Sequence, residues 1–264
     1  MDFHDVHQPD IAVIPAHVDA LLQDPSLTDQ QRTFVQHIQK LTQPMLPAMS
    51  VTTQNNAFPW LRVVLRDAAI TPLQTIIGYA KLLLERPQQF GTETISESQQ
   101  QNLQAIHQQT VTLYNWLHAL NGMELHKQWS NTPATVFSLD TLLAPLSTIL
   151  AYHLRDRIRL QTEIYGTGQM IQANTYELTQ IVQHIVFTLA RERDNIPQLD
   201  ITLRQNPQAV MLVFSADGLQ LDAELRSILF DRQGASHYRV LLATQRAQLR
   251  TEPNALHLIW PRSI

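Results

Sequence analysis

The feature that most constrains this chain is a heptad seam between Asn56 and Glu85. Val63, Ile70, Ile77 and Leu84 recur every seventh residue, with Leu73 and Ala80 at the intermediate places. Apolar residues at that spacing line one stripe of a long helix, and such a stripe has to be covered by other helices. The stretch "RPQQFGTETIS" then reads as a turn. Ser96 followed three residues later by Gln99 has the form of a capping box, which starts a helix by exchanging side-chain and backbone hydrogen bonds. Leu103, Ile106, Leu113, Leu117 and Leu120, with Thr110 among them, continue the seam there. Two antiparallel helices with matching seams leave apolar surface uncovered. The expectation is that Val63, Ile70, Leu73, Ile77, Leu84, Leu103, Ile106, Leu113, Leu117 and Leu120 form the interface of a homodimer, a four-helix bundle built from two copies.

The first 55 residues carry an echo of this hairpin. "LTDQQRTFVQHIQK" from Leu27 lines up with "ISESQQQNLQAIHQ" from Ile95. Two readings stand open: two unrelated Gln-rich amphipathic helices, or a partial copy of the hairpin that packs on the bundle.

Beyond "NGMELHKQWSNTPATV" the periodicity changes. "FSLDTLLAPLSTILAYHLRD" reads as a capped amphipathic helix, and "IRLQTEIY" and "QMIQA" as strands. "NTYELTQIVQHIVFTLARER" is a strongly apolar helix, and "LDITLRQ" and "AVMLVFS" are strands joined at Asn206-Pro207. Helices near Ala223 to Phe230 and Tyr238 to Gln248 and a last strand "ALHLIWP" complete the pattern. The fold class is α+β: N-terminal helices and a dimerising hairpin, followed by an α/β sandwich with its helices on one face of a mixed sheet. The expected divisions are 1–55, 56–128 and 129–264.

Composition removes several functions. A formal charge of -4 gives no basic field for nucleic acid. With no cysteine there is no disulfide, thiolate zinc site or cysteine nucleophile, which fits a cytoplasmic location. No run approaches the roughly 20 apolar residues of a membrane span. Seven glycines in 264 residues leave little for Gly-rich phosphate loops, given an average of about 7%. His4 and His7 are the one close histidine pair, without a third ligand at helical spacing, so no metal site is expected.

The order of elements, with "TPLQTIIGYAKLLLE", "ISESQQQNLQAIHQQTVTLYNWLHALNGMEL", "ANTYELTQIVQHIVFTLARE" and "ALHLIWP", resembles the transmitter region of sensor histidine kinases. That region is a dimerisation and phosphoacceptor hairpin followed by a Bergerat-type ATP-binding domain. The resemblance covers Asn56 to the C-terminus and implies two-component signalling. It also shows what is missing. The family box reads His-Glu-Leu-Arg-Thr-Pro. Aligned on Thr71 and Pro72, its histidine place holds Asp67, its acid place Ala68 and its arginine place Ile70. A carboxylate cannot act as the neutral nitrogen nucleophile that accepts a phosphoryl group.

In the second region the family's aspartate aligns with Asn174, its metal-binding asparagine with His184 and a second asparagine with Thr188. Magnesium favours oxygen ligands, so an imidazole is a poor substitute. Asp217 and Gly218 in "SADGLQLD" are the remnant of an Asp-x-Gly-x-Gly box whose second glycine is Leu219 or Gln220. "DRQGASHY" is too short for a nucleotide lid, and "HYRVLLATQ" replaces a Gly-x-Gly helix start. The resemblance implies a pseudokinase without ATP or magnesium, whose partner is a response regulator or an active histidine kinase. The pocket is then left to another ligand or filled by Leu219, Leu221 and Tyr238. The alternative is a working kinase or phosphotransfer protein using His107, His118 or His184.

Overall fold

The computed structural model describes residues 12–54, 60–92, 94–118, 132–155, 157–192, 196–231 and 236–261. The chain divides into two compact units. Residues 1–54 and 62–122 form the first, and residues 55–61 and 123–264 the second.

The first unit is helical. Its elements are α1 (Val13–Leu22), α2 (Asp29–Thr42), α3 (Met45–Gln54), α4 (Leu61–Glu85), a short 3-10 turn (Pro87–Phe90) and α5 (Glu97–His118). The starts of α2 and α5 are written in the sequence as capping boxes. Thr28 caps α2 through the backbone N–H of Gln31, 3.2 Å away, while the Gln31 side chain accepts from the Thr28 N–H at 2.9 Å. Ser96 and Gln99 repeat that exchange at the start of α5, at 3.1 and 3.2 Å. Helix α4 runs through Pro72 rather than starting there. Its packed face compensates the hydrogen bond that proline removes.

Within this unit α1 lies beside α2 and α5. The N-terminal segment packs on the hairpin within this unit, as one of the two readings of the sequence expected. Leu73, Leu103, Ile106, Leu113 and Leu117 are buried inside the single chain. Within the single chain α1 packs on α5, and Phe34 of α2 meets Tyr79 of α4. Val63, Ile70, Ile77 and Leu84 stay half-buried along one flank of α4. Leu120 lies outside the described residues.

The second unit begins with β1 (Thr135–Ser138), α6 (Leu139–Leu154), β2 (Arg159–Ile164), β3 (Met170–Ala173) and α7 (Thr175–Glu192). It continues through β4 (Gln198–Gln205), β5 (Ala209–Ser215), α8 (Ala223–Phe230), α9 (Ser236–Thr244), β6 (Gln248–Glu252) and β7 (Ala255–Pro261). The main sheet has the order β2-β4-β5-β7-β6, with β2 and β4 parallel and the other pairs antiparallel. Strands β1 and β3 form a separate antiparallel pair.

Alternation decides what the strands bury. In β4, Leu199, Ile201 and Leu203 point inward, while β7 is buried almost throughout because it is a central strand. Helices α6 and α7 supply Leu142, Leu146, Ile181 and Ile185 to the same core. Trp60 belongs to this unit: its indole N–H donates to Thr179 Oγ1 at 3.1 Å, and its ring meets Tyr176 edge-on. Strand β6 replaces the end of a helix expected to reach Gln248. Pairing with β7 outweighs the weak helical signal of "RAQLR".

Candidate functional site

The positions singled out by sequence lie on α4, on α7 and in the turn after β5. Asp67 is exposed on α4, and its Oδ1 accepts from Arg66 Nη2 at 2.6 Å and Nε at 2.8 Å. Its charge is thus answered by its own neighbour in sequence. On α5, His118 stacks on Tyr114 at 5.5 Å between ring centroids, and His107 is half-buried.

Asn174 is the cap of α7. Its Oδ1 accepts from the N–H groups of Tyr176 at 3.0 Å and Glu177 at 3.1 Å, satisfying donors that a helix start leaves without partners. Its Nδ2 donates to the Thr132 carbonyl, and its backbone N–H donates to Gln245 Oε1, both at 2.6 Å. The Gln245 amide also donates to the Glu177 carboxylate. Partial burial raises the Glu177 pKa, and the Gln245 hydrogen bond opposes that rise. Sequence reasoning missed Gln245 altogether. The available signal was a single glutamine closing the apolar run "VLLATQ", and it is buried.

His184 sits ten residues along the same helix, about 15 Å from Asn174 at 1.5 Å per residue. Its Nε2 is 2.8 Å from the Leu229 carbonyl at the end of α8, so that nitrogen carries the proton and donates. Its ring lies flat on Tyr238 of α9, with centroids 4.0 Å apart and planes 9° from parallel. Burial raises the Tyr238 pKa, keeping the phenol neutral. Thr188, one helical turn further, is buried in the core.

Ala216 to Leu219 form a turn closed by the Leu219 N–H on the Ala216 carbonyl at 3.1 Å, with Gly218 at φ +80° in its third position. That conformation is why glycine stands there. Asp217 is exposed, whereas Leu219 and Leu221 turn inward and are buried. The backbone N–H of Leu221 is bonded to the Pro253 carbonyl. Asn174, His184 and Leu221 are each held by protein groups of their own. An open cleft of about 370 Å³ lies elsewhere, where Arg155, Arg157 and Arg159 meet Ala151 and Pro197 at the start of β2. Among the described residues, no group of three His, Asp or Glu side chains is placed to hold a metal ion, and no helix is long and apolar enough to cross a membrane.

Among solved structures, the chain is similar to histidine kinase catalytic domains. The ATP-binding domain of PrrB from Mycobacterium tuberculosis is 14% identical, with 50% of this chain and 100% of that chain covered and a TM-score of 0.42. The catalytic domain of the histidine kinase ThkA is 16% identical, covering 49% of this chain and 97% of its own, with a TM-score of 0.41. The Acinetobacter baumannii histidine kinase AdeS is 11% identical over 73% of this chain and 98% of that one, with a TM-score of 0.41. No protein-family model matches the chain, and no curated protein matches it.

Proposed function

We propose that this protein is a two-component signalling protein that acts by binding rather than by phosphoryl transfer: a pseudokinase that presents its helical unit to a response regulator or a histidine kinase. The observation that carries the reading is the His184 environment. At the place where the resemblance puts the metal-binding asparagine, an imidazole donates to a backbone carbonyl and stacks on Tyr238. A ligand entering there would have to break both contacts. The buried Leu219 and Leu221 occupy the stretch where glycines would let a base approach the backbone.

Asp67 supports the same conclusion from the other unit. It has no imidazole to offer, and it is paired with Arg66 on the surface. The partner reading follows from what remains: helical faces and a folded second unit, without a described set of groups arranged for phosphoryl transfer. Neither ATP nor magnesium is part of the proposal.

Calorimetric titration with ATP and magnesium, beside an intact kinase ATP domain as control, tests it. The expected result is no heat of binding and no thermal shift. Magnesium-dependent binding at micromolar affinity would sink the reading and direct attention to which histidine receives the phosphate.

A further inference from the structure

The two hairpins of the first unit match in the spacing of many of their buried positions. Among the buried positions of α2 and α3 are Gln31, Val35, Ile38, Thr42, Met45 and Met49; Ala48 and Thr52 are buried there too, and Trp116, 68 positions after Ala48, is half-buried. In α5 the counterparts of the first six are Gln99, Leu103, Ile106, Thr110, Leu113 and Leu117, each 68 positions further on. In α1, Ile14, Val18 and Leu21 are buried, and in α4 Ile76, Ala80 and Leu83 are buried at a constant shift of 62. The shift changes across the connection, where the second hairpin holds the 3-10 turn Pro87–Phe90.

Matching apolar spacing alone is common among amphipathic helices. The polar details are more specific. Both Gln31 and Gln99 are buried residues of capping boxes. Thr42 and Thr110 both turn their hydroxyls back onto the fourth preceding carbonyl, Ile38 at 3.0 Å and Ile106 at 2.6 Å.

The two hairpins also hold each other. At the connection end, the Thr28 hydroxyl donates to the Phe90 carbonyl at 2.7 Å, and the Gln99 amide donates to the Ser26 hydroxyl at 2.8 Å. Each bond runs from a capping box of one copy to the loop of the other. Around the bundle the contacts make a closed ring. Gln39 donates to Asp19 between α2 and α1, and Phe34 meets Tyr79 edge-on between α2 and α4. Gln74 donates to Tyr114 between α4 and α5, and His17 pairs with Asn102 between α1 and α5 at 2.8 Å.

We propose that residues 13–54 are a shortened second copy of the α4–α5 hairpin and act as its resident partner, so that the four-helix bundle is completed within one chain and its inner face is closed to a second copy. A hairpin with an apolar face needs a complement of the same kind, and here the complement arrives covalently attached. Its effective concentration exceeds that of a free second copy at ordinary protein concentrations. This inference is independent of the nucleotide reading, since it rests on the first unit alone.

Cross-linking tests it directly, because the chain has no cysteine of its own. A double variant, His17→Cys with Asn102→Cys, is prepared both unlabelled and nitrogen-15 labelled. The two are mixed, unfolded in urea, refolded together and treated with a short bismaleimide. Cross-linked peptide pairs are expected to carry a single isotope, in a product that runs as the 30.2 kDa chain. Mixed-isotope pairs in half of the product, with a band at twice the mass, would overturn the proposal, and so would absence of any link between the two sites. If circular dichroism shows that this variant does not fold, Ser26→Cys with Gln99→Cys makes the same measurement at the loop end.

Discussion

The two units hold the positions that the resemblance assigns to chemistry in different ways. On α4, the position that the resemblance assigns to a nucleophile holds an exposed carboxylate, paired with Arg66 and otherwise surrounded by water. On α7, the positions assigned to ligand binding are buried or half-buried, and two of their polar groups have protein partners: Asn174 in a helix cap, His184 on a carbonyl and a phenol ring. The difference teaches that a surface position can change freely because water satisfies whatever stands there. An interior position changes only together with partners that meet the hydrogen-bonding demand.

The comparison is broken most severely through the cores. Leu103→Ala leaves a cavity in the helical bundle and is expected to cost about 3 kcal/mol, from the usual 2–5 for such truncations. Urea unfolding followed by circular dichroism measures it. A loss near zero would show that α5 is not packed as described. In the second unit, Asn174→Ala removes the cap of α7 and leaves the Thr132 carbonyl and the Tyr176 and Glu177 amides short of a partner. About 2 kcal/mol is expected, the upper end for a cap. Tyr238→Ala should cost roughly 1 kcal/mol, as for other ring pairs. A fall in thermal midpoint would report it, with no gain of ATP binding.

A finer test uses pH. The pKa of Glu177 is raised from its ordinary 4.5 because burial disfavours the carboxylate. A raised acid pKa means that this stabilising contribution is complete below about pH 4.5 and is lost as pH rises through the folded-state value. Glu177→Gln, which can still accept from Gln245, should therefore be more stable than the parent at pH 7, with the advantage fading toward pH 4. Equal stability differences at both pH values would show that the effect is not one of ionisation. Smallest of all, Asp67→Asn should change stability by less than about 0.5 kcal/mol, as surface pairs do. A larger loss would mean that the Arg66 pair does more than neutralise a surface charge.

Much of the element order was legible. The seam residues, the capping boxes at Thr28 and Ser96 and the alternation of β4 and β5 are local patterns, and the structure forms them locally. Less legible was what each seam faced. Leu103 and Leu113 carry the same periodic signal whether their cover is a second chain or an N-terminal helix, since hydrophobic burial is non-directional. Gln245 was invisible for a related reason: its partners Asn174 and Glu177 are about 70 positions away, and no short-range pattern announces them.

The sequence by itself therefore determined the helices, most of the strands and the aspartate that stands at the position the resemblance gives to a histidine, because periodicity, caps and residue identity are properties of neighbours along the chain. Only the tertiary structure decided that α1 packs on α2 and α5, that His184 is held by Leu229 and Tyr238, and that Asn174 is a cap satisfied from three sides. Those are pairings between distant segments, and their energy depends on which surfaces meet.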